Sequence, residues 1–362
     1  MEFRDLATEI LDLVHSKKPF TDVHMTADQP MMIKTPAGWT VVGDGEILPD
    51  DMGKFLNTLD KNWKEKVKLH AIDKPISLGE VRLRCNIFRT DGSTKTAVSI
   101  RVLPKNPPDL GKLGLPPYMG QIISKNKGLV IITGPTGSGK TTTVASFINH
   151  LNRTRQAHIV TIEEPIEYQF ERNKSIFSQK EVPTDTESFA SGLREAVRQK
   201  PDIIMIGEVR DRETAETMLQ AAESGHLVFA TLHTNTADGA ISKILSWFEG
   251  ETEEKRQMLA QSLIAVVCQN LLPTRDGDSF ILGYELLVNN PQVSKAISEP
   301  GRLGTLRELM KQHNEENRMS RAMNDVLLEL LKADKIRVAD AQRASNSSIE
   351  LMEVVRKENI KA

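Results

Sequence analysis

The sequence is short of cysteine, of aromatic residues and of net charge. Its two cysteines, Cys85 and Cys268, are far apart and make no metal-ligand pair. They are expected to be free thiols in a reducing cytosol. No stretch approaches the ~20 consecutive apolar residues that a membrane-spanning helix needs. The N-terminus, Met1-Glu2-Phe3-Arg4-Asp5, lacks the basic-then-apolar pattern of a signal peptide. The expectation is a cytoplasmic protein that meets a membrane only through partners. A net charge of −2 gives no global basic field to attract nucleic acid or anionic lipid, so no nucleic-acid partner is expected. What remains is an ordinary globular composition, 39% hydrophobic and 27% charged, over 362 residues, which suits two or three domains.

One stretch organises the rest. Gly134-Pro135-Thr136-Gly137-Ser138-Gly139-Lys140-Thr141 fits the phosphate-binding pattern G-x-x-x-x-G-K-[ST] without a mismatch. The apolar run Leu129-Val130-Ile131-Ile132 before it reads as a buried strand, and residues from Thr142 onward have helical spacing. Strand, glycine loop and helix are the context the motif requires. Backbone N–H groups of such a loop wrap phosphates, and the helix N-terminus adds partial positive charge. In this reading Lys140 reaches the β- and γ-phosphates, and the Thr141 hydroxyl holds Mg²⁺.

Before the loop, an amphipathic helix is expected over 3–17, with Phe3, Leu6, Ile10, Leu13 and Val14 on one face. Short strands follow at 22–26, 31–35 and 39–42, then a helix at 50–59. Strands at 82–90 and 94–103 flank Asp91-Gly92-Ser93, a hairpin signal. Residues 1–103 therefore read as a small α+β domain. Residues 104–117 are proline-rich and form the linker. A helix around 118–126 leads into the core, 118–290. There, continuous apolar runs at 129–133, 158–162, 203–206 and 227–232 suggest a parallel sheet covered on both faces. Helices are expected at 140–151, 187–199 and 212–224. Beyond two further segments, 237–248 and 254–272, one more strand is expected at 281–288. The remainder, 291–362, is helical: 291–298, 305–316, 320–332 and a tail to 357.

Three clusters follow predicted parallel strands, at the sheet edge where open α/β folds bind ligands. Glu163-Glu164-Pro165-Ile166-Glu167 offers carboxylates that could polarise the attacking water. Asp202 through Glu208 is an apolar strand ending in an acid suited to Mg²⁺, held through water. His226 and His233 bracket a third strand. His226 is compatible with packing alone, whereas His233 stands where it could sense the γ-phosphate. Zinc is a poor reading, because no cysteine or third histidine lies nearby. A guanidinium to stabilise the transferring phosphoryl group is also needed. Arg82, Arg84, Arg89, Arg101, Arg194, Arg198 and Arg210 are candidates among which the chemistry does not choose.

Together these boxes resemble the secretion-superfamily ATPases, specifically the PilT/PilU retraction ATPases of type IV pili. The resemblance spans nearly the whole chain. It rests on Thr21-Asp22-Val23-His24, Val81-Arg82-Leu83-Arg84-Cys85-Asn86, the glycine loop, the acidic box 161–168, Gly207-Glu208-Val209-Arg210 and the histidine box. It implies a PAS-like N-terminal α+β domain, a flexible linker, a RecA-like P-loop core of α/β class and a helical C-terminal region. It also implies a homohexameric ring holding ATP and Mg²⁺ between the two domains. Carried over by position, Glu163 is the catalytic acid and Glu208 the magnesium-side acid, with His226 and His233 the histidine-box pair. Arg84 and Arg101 match arginines that reach the γ-phosphate on domain closure. Gly134, Pro135, Thr136, Gly137, Ser138, Gly139, Lys140, Thr141 and Thr142 bind the nucleotide. The partners implied are an inner-membrane pilus platform protein and a paralogous pilus ATPase, with the motor at the inner-membrane base of the pilus machine. Two departures are visible: Glu164 stands where the family usually has Asp, and Gln292–Ser298 replaces the C-terminal segment of PilT. Residues 340–357 look more like the PilU branch. The competing readings are a pilus or secretion assembly ATPase, a non-hydrolysing nucleotide-binding regulator, and a nucleic-acid translocase. Intact Lys140, Glu163, Glu208 and His233 speak against the regulator. The acidic net charge speaks against the translocase.

Overall fold

The computed structural model describes residues 5–16, 20–78, 81–103, 106–250, 252–312 and 314–360, the side chains of Asp44 and Lys74 excepted. Phe3, Pro104 and Lys105, which belong to the expected first helix and linker, lie outside them. The chain divides into two compact units. One is Met1–Asn106 with Glu167–Gln169 and Asp276–Ser279; the other is Pro107–Ile166, Phe170–Arg275 and Phe280–Ala362.

The first unit is a six-stranded antiparallel sheet with three helices. Its strands are β1 (Asp22–Thr26), β2 (Pro30–Thr35), β3 (Gly38–Glu46), β4 (Ile72–Leu78), β5 (Val81–Thr90) and β6 (Lys95–Leu103), in the order β3-β2-β1-β6-β5-β4. The helices are α1 (Leu6–His15), α2 (Pro49–Leu59) and α3 (Trp63–Leu69). Alternation along β5 buries Leu83, Cys85 and Ile87 on one face, where Leu6 and Ile10, Phe55 and Leu56, and Trp63 from the three helices join them. α3 and β4 were not foreseen. Charged and polar residues dilute the apolar spacing of Lys64–Leu69, and Pro75 interrupts β4, which sits at the sheet edge where proline is tolerated.

The second unit begins with α4 (Met119–Ile123), β7 (Gly128–Thr133), α5 (Lys140–Thr154), β8 (His158–Glu163), β9 (Ile176–Glu181) and α6 (Phe189–Ala196). β10 (Ile203–Ile206), α7 (Arg212–Glu223), β11 (Leu227–Leu232), α8 (Ala237–Ser246), α9 (Thr252–Ser262), β12 (Leu263–Pro273) and β13 (Phe280–Val288) complete the sheet. Strand order is β13-β12-β7-β11-β10-β8-β9, all parallel except β13. β7, β10 and β11 are buried at every residue because both sheet faces are covered. Leu129 and Ile131 pack with Leu193, Met218 and Ile241 on one side, and Val130 and Ile132 with Ile122 and Phe147 on the other.

Two strands of this unit escaped the sequence reading. The 254–272 segment is a helix to Ser262 and then a strand, because Ala265, Val266 and Val267 pair with β7 and its long-range packing overrides local spacing. β9 reads Ile176-Phe177-Ser178-Gln179-Lys180-Glu181, too polar to signal a strand, and it occupies the sheet edge. The C-terminal helices are α10 (Pro291–Ser298), α11 (Thr305–Lys311), α12 (Met323–Lys332), α13 (Val338–Ala344) and α14 (Ser348–Lys357). The last three share a small core of Leu327, Ile336, Leu351 and Val355 with Leu272 of β12.

Candidate nucleotide site at the carboxyl edge of the sheet

The glycine loop joins β7 to α5, and two glycines make its path possible. Gly139 caps α5 with φ +84°, a left-handed conformation that L side chains rarely adopt. Gly134 has φ +143°, and a Cβ there would stand 2.3 Å from the Gln269 carbonyl oxygen and 2.7 Å from Ser138 Oγ. Pro135, Thr136 and Gly137 form the exposed tip. Thr141 and Thr142 lie in the first turn of α5, half-buried. Lys140 is 8% exposed, and its Nζ donates to the carbonyls of Gly134 at 2.9 Å and Pro135 at 3.1 Å. Ser138 Oγ is buried with no hydrogen-bond partner among the described residues. A buried hydroxyl donor, a folded-back ammonium and the N-terminus of a fifteen-residue helix fit a phosphate group.

Strand order decides what lies beside the loop. β11 is next to β7, then β10, then β8, each about 4.8 Å further on. The strand ends present His233, Glu208 and Glu163 in that sequence. His233 bridges its neighbours: Nδ1 is 3.4 Å from Lys140 Nζ and Nε2 is 3.3 Å from Glu208 Oε1. An ammonium only donates, so Nδ1 accepts from Lys140 and the neutral ring carries its proton on Nε2, facing the carboxylate. Burial and the Lys140 charge push the His233 pKa down, against the opposing pull of Glu208. Burial raises the Glu208 pKa. The hydrogen bond and charge of Arg210, with His233 and Lys140, outweigh that and hold it below its ordinary range.

Arg210 locks the acidic end of the row. It donates to Glu208 Oε2 at 2.7 Å and Glu164 Oε2 at 2.6 Å, and stacks 5.6 Å over the Phe189 ring. Glu163 is only 3% exposed, and its Oε1 accepts from the Thr161 hydroxyl at 2.7 Å and the Gln179 amide at 3.3 Å. Gly207 keeps β10 close to β8, since its N–H donates to the Ile162 carbonyl at 2.7 Å and an added Cβ would lie 3.0 Å from that oxygen.

Other candidates are placed elsewhere. His226 precedes β11 whereas His233 follows it, so the strand separates them by about 20 Å. His226 Nδ1 lies 2.9 Å from the Ala221 carbonyl near the end of α7, at the opposite edge of the sheet from the glycine loop. Arg84 and Arg101 face each other across β5 and β6 in the first unit, where Arg84 pairs with Asp73 at 2.9 Å and Arg101 with Asp22 at 3.0 Å. Among the described residues no group of three or more His, Cys, Asp or Glu could hold a metal. A hydroxyl and a carboxylate, Thr141 and Glu208, are hard oxygen donors suited to a Mg²⁺ that keeps water and phosphate as its other ligands.

Gln269 was missed. It follows the apolar run Leu263–Cys268 of β12, is fully buried, and its Nε2 donates to the Ser138 carbonyl at 2.7 Å. Its Oε1 is buried without a partner among the described residues. Thr133 was missed as well: its Oγ1 accepts from the Thr234 N–H at 2.8 Å, stitching the strand before the glycine loop to the histidine loop. The available signal was the same for both, a polar residue closing an apolar run.

A family model described as Type II/IV secretion system protein matches residues 70–355. The chain belongs to this family. Among curated members, a twitching motility protein of Neisseria gonorrhoeae is 40% identical over 258 residues, covering 70% of this chain and 68% of that one. The type IV pilus retraction ATPase PilT of Pseudomonas aeruginosa is 35% identical over 304 residues, covering 81% and 85%. The solved structure of the pilus retraction motor PilT with bound ADP superposes with TM-score 0.82 at 37% identity, covering 97% of this chain and 99% of that one. Family membership accords with the RecA-like core and N-terminal α+β unit that the resemblance implied. Among the described residues, no helix is long and apolar enough to cross a membrane.

Proposed function

We propose that this secretion-family chain is an ATP-hydrolysing motor that powers type IV pilus retraction, and that it works as a homohexamer. The observation that carries the reading is the hydrogen-bonded row Lys140–His233–Glu208 at the glycine loop, which links a phosphate-binding cation to an acid through a neutral imidazole. Similarity to a retraction ATPase over 81% of the chain in sequence and to a retraction motor over 97% in structure supports the biological task.

In this mechanism Lys140 leaves the Gly134 and Pro135 carbonyls for the β- and γ-phosphates of ATP. His233 Nδ1 loses its donor, so the imidazole registers whether the γ-phosphate is present. Glu163, desolvated and held by Thr161 and Gln179, polarises the attacking water. Thr141 and Glu208 would hold Mg²⁺, Glu208 through water, where the ion would supply charge neutralisation for the transferring phosphoryl group. Arg84 and Arg101 exchange their carboxylate partners for the γ-phosphate when the N-terminal domain closes. Differential affinity for ATP over ADP then drives the shape change. The partners are a platform protein at the inner membrane and a paralogous ATPase, and the motor acts on their cytoplasmic side.

The test is steady-state hydrolysis against protein concentration, with Lys140→Ala, Glu208→Ala and Glu163→Gln alongside. Cooperative activity in the wild type, lost in all three variants while Glu163→Gln still binds ATP, supports a shared-site motor. Wild-type turnover no higher than that of Lys140→Ala, under conditions where rings form, would refute it. Complementation of a retraction-deficient strain separates retraction from assembly.

A further inference from the structure

Glu285 lies in the middle of β13, 4% exposed, one strand beyond β12 and without a role in the chemistry above. Its two carboxylate oxygens hold two different parts of the second unit. Oε1 accepts from the Ala237 N–H at 2.7 Å, the first residue of α8. A carboxylate at a helix N-terminus satisfies an otherwise unpaired donor and complements the helix dipole. Thr236 caps the same turn through Gly239 N–H at 3.1 Å, so the start of α8 is gripped twice. Only residues 234–236 separate it from His233. Thr234 is itself fixed to Thr133, and Cys268, directly opposite Glu285 in register, lies with its sulfur 3.9 Å from the Thr234 carbonyl.

The other oxygen, Oε2, accepts from Asn346 Nδ2 at 2.6 Å. Asn346 sits in the turn between α13 and α14. That turn is sewn to α12, because Ser345 Oγ donates to Asn324 Oδ1 at 2.7 Å and Asn324 Nδ2 donates to the Ser347 carbonyl at 3.1 Å. A movement of the C-terminal helices therefore pulls on one side of a buried carboxylate whose other side holds the histidine loop. Burial and the nearby Asp238, which pairs with Arg307 at 3.1 Å, push the Glu285 pKa up, while its two hydrogen bonds oppose them.

We infer that Glu285 is a positioning residue for the histidine loop, and that through Asn346 it couples the C-terminal helices α12–α14 to the nucleotide site. The inference rests on the proposed hydrolysis at that site. It gives the C-terminal helices a defined handle on turnover.

The experiment exchanges the polarity of the pair. Asn346→Asp removes the donor and sets a second carboxylate against Glu285; Asn346→Ala removes the donor alone. Both are expected to lower kcat roughly 2- to 30-fold, the range for residues that transmit coupling, and to leave KM for ATP unchanged, since the glycine loop keeps Gln269 and Thr133. Glu285→Gln in the Asn346→Asp background restores the bond, with the introduced amide donating to the introduced carboxylate and its carbonyl still accepting from Ala237. Turnover should return in this double variant. Glu285→Gln alone should stay near wild type, because the Asn346 amide can turn its oxygen toward the new donor. Thermal unfolding of each variant separates coupling from loss of fold. The His233 ring resonances provide a readout independent of turnover: shifted by Asn346→Asp and returned in the double variant. Unchanged kcat and unshifted His233 resonances in Asn346→Asp, or a double variant no better than the single one, would overturn the inference. Absent wild-type turnover with shifted resonances would instead count against the hydrolysis reading and leave the coupling standing.

Discussion

Replacing Gln269 by Leu should separate stability from nucleotide affinity. Two effects oppose each other in the fold. The Ser138 carbonyl loses the amide donor 2.7 Å away, at about 1–3 kcal/mol for a buried acceptor deprived of a partner. The same substitution deletes Gln269 Oε1, a buried acceptor that has no partner among the described residues and already carries a similar penalty of about 1–3 kcal/mol. Leu is close to Gln in volume, so the packing change is under about 1.5 kcal/mol. Global stability should therefore move little. The loop, by contrast, loses the only contribution of the two that shapes the phosphate cradle. A loss of about 1–3 kcal/mol expressed there weakens nucleotide binding roughly 5- to 150-fold. Fluorescent-nucleotide titration and denaturant unfolding, run on the same preparation, read the two quantities. Wild-type affinity in Gln269→Leu would refute the bracing role. A large loss of stability would refute the cancellation.

Gly134→Ala should fail more severely, because left-handed strain of about 1–3 kcal/mol adds to a similar cost of about 1–3 kcal/mol for overpacking against the Gln269 backbone; unfolding and nucleotide titration should both report it. The Glu208 pKa lies below its ordinary 4.5, so the Arg210 pair contributes stability above that pH, lost as pH falls through the depressed value. Arg210→Ala should move that loss to higher pH in an acid titration followed by circular dichroism. The Lys140 charge lowers the His233 pKa and the Glu208 charge raises it. Hence Lys140→Ala should raise the His233 midpoint in an NMR titration and Glu208→Gln should lower it further; shifts of the opposite sign would show that the row is not formed in solution.

The phosphate loop was legible because everything it needs is local: Gly134 through Thr141, an apolar strand before and a helix after. The strands of β7, β8, β10 and β11 were legible as unbroken apolar runs. Their order was not. The acidic box of β8 follows the glycine loop next in sequence among the strand ends, yet two strands, β11 and β10, stand between them in space. Proximity to Lys140 thus falls to His233, then to Glu208. The distinction between His226 and His233 was invisible for a related reason, since residue type is the same and only strand direction assigns one to the site edge. Gln269 and Glu285 lie on strands whose pairing is set by long-range contacts, and β12 itself was hidden inside a segment that runs on from a helix. Polar residues inside apolar runs carried the missing signal.

The same strand order has a consequence for how the site comes into being. Lys140 and His233 are 93 residues apart, Thr133 and Thr234 are 101 apart, and Ser138 and Gln269 are 131 apart. A chain emerging from the ribosome exposes its glycine loop long before those partners are synthesised, and each closure carries the entropy of a long loop. The completed site needs β11 and β12 in place, since they carry His233 and Gln269. Nucleotide added during refolding should therefore stabilise finished molecules and leave partly folded ones untouched.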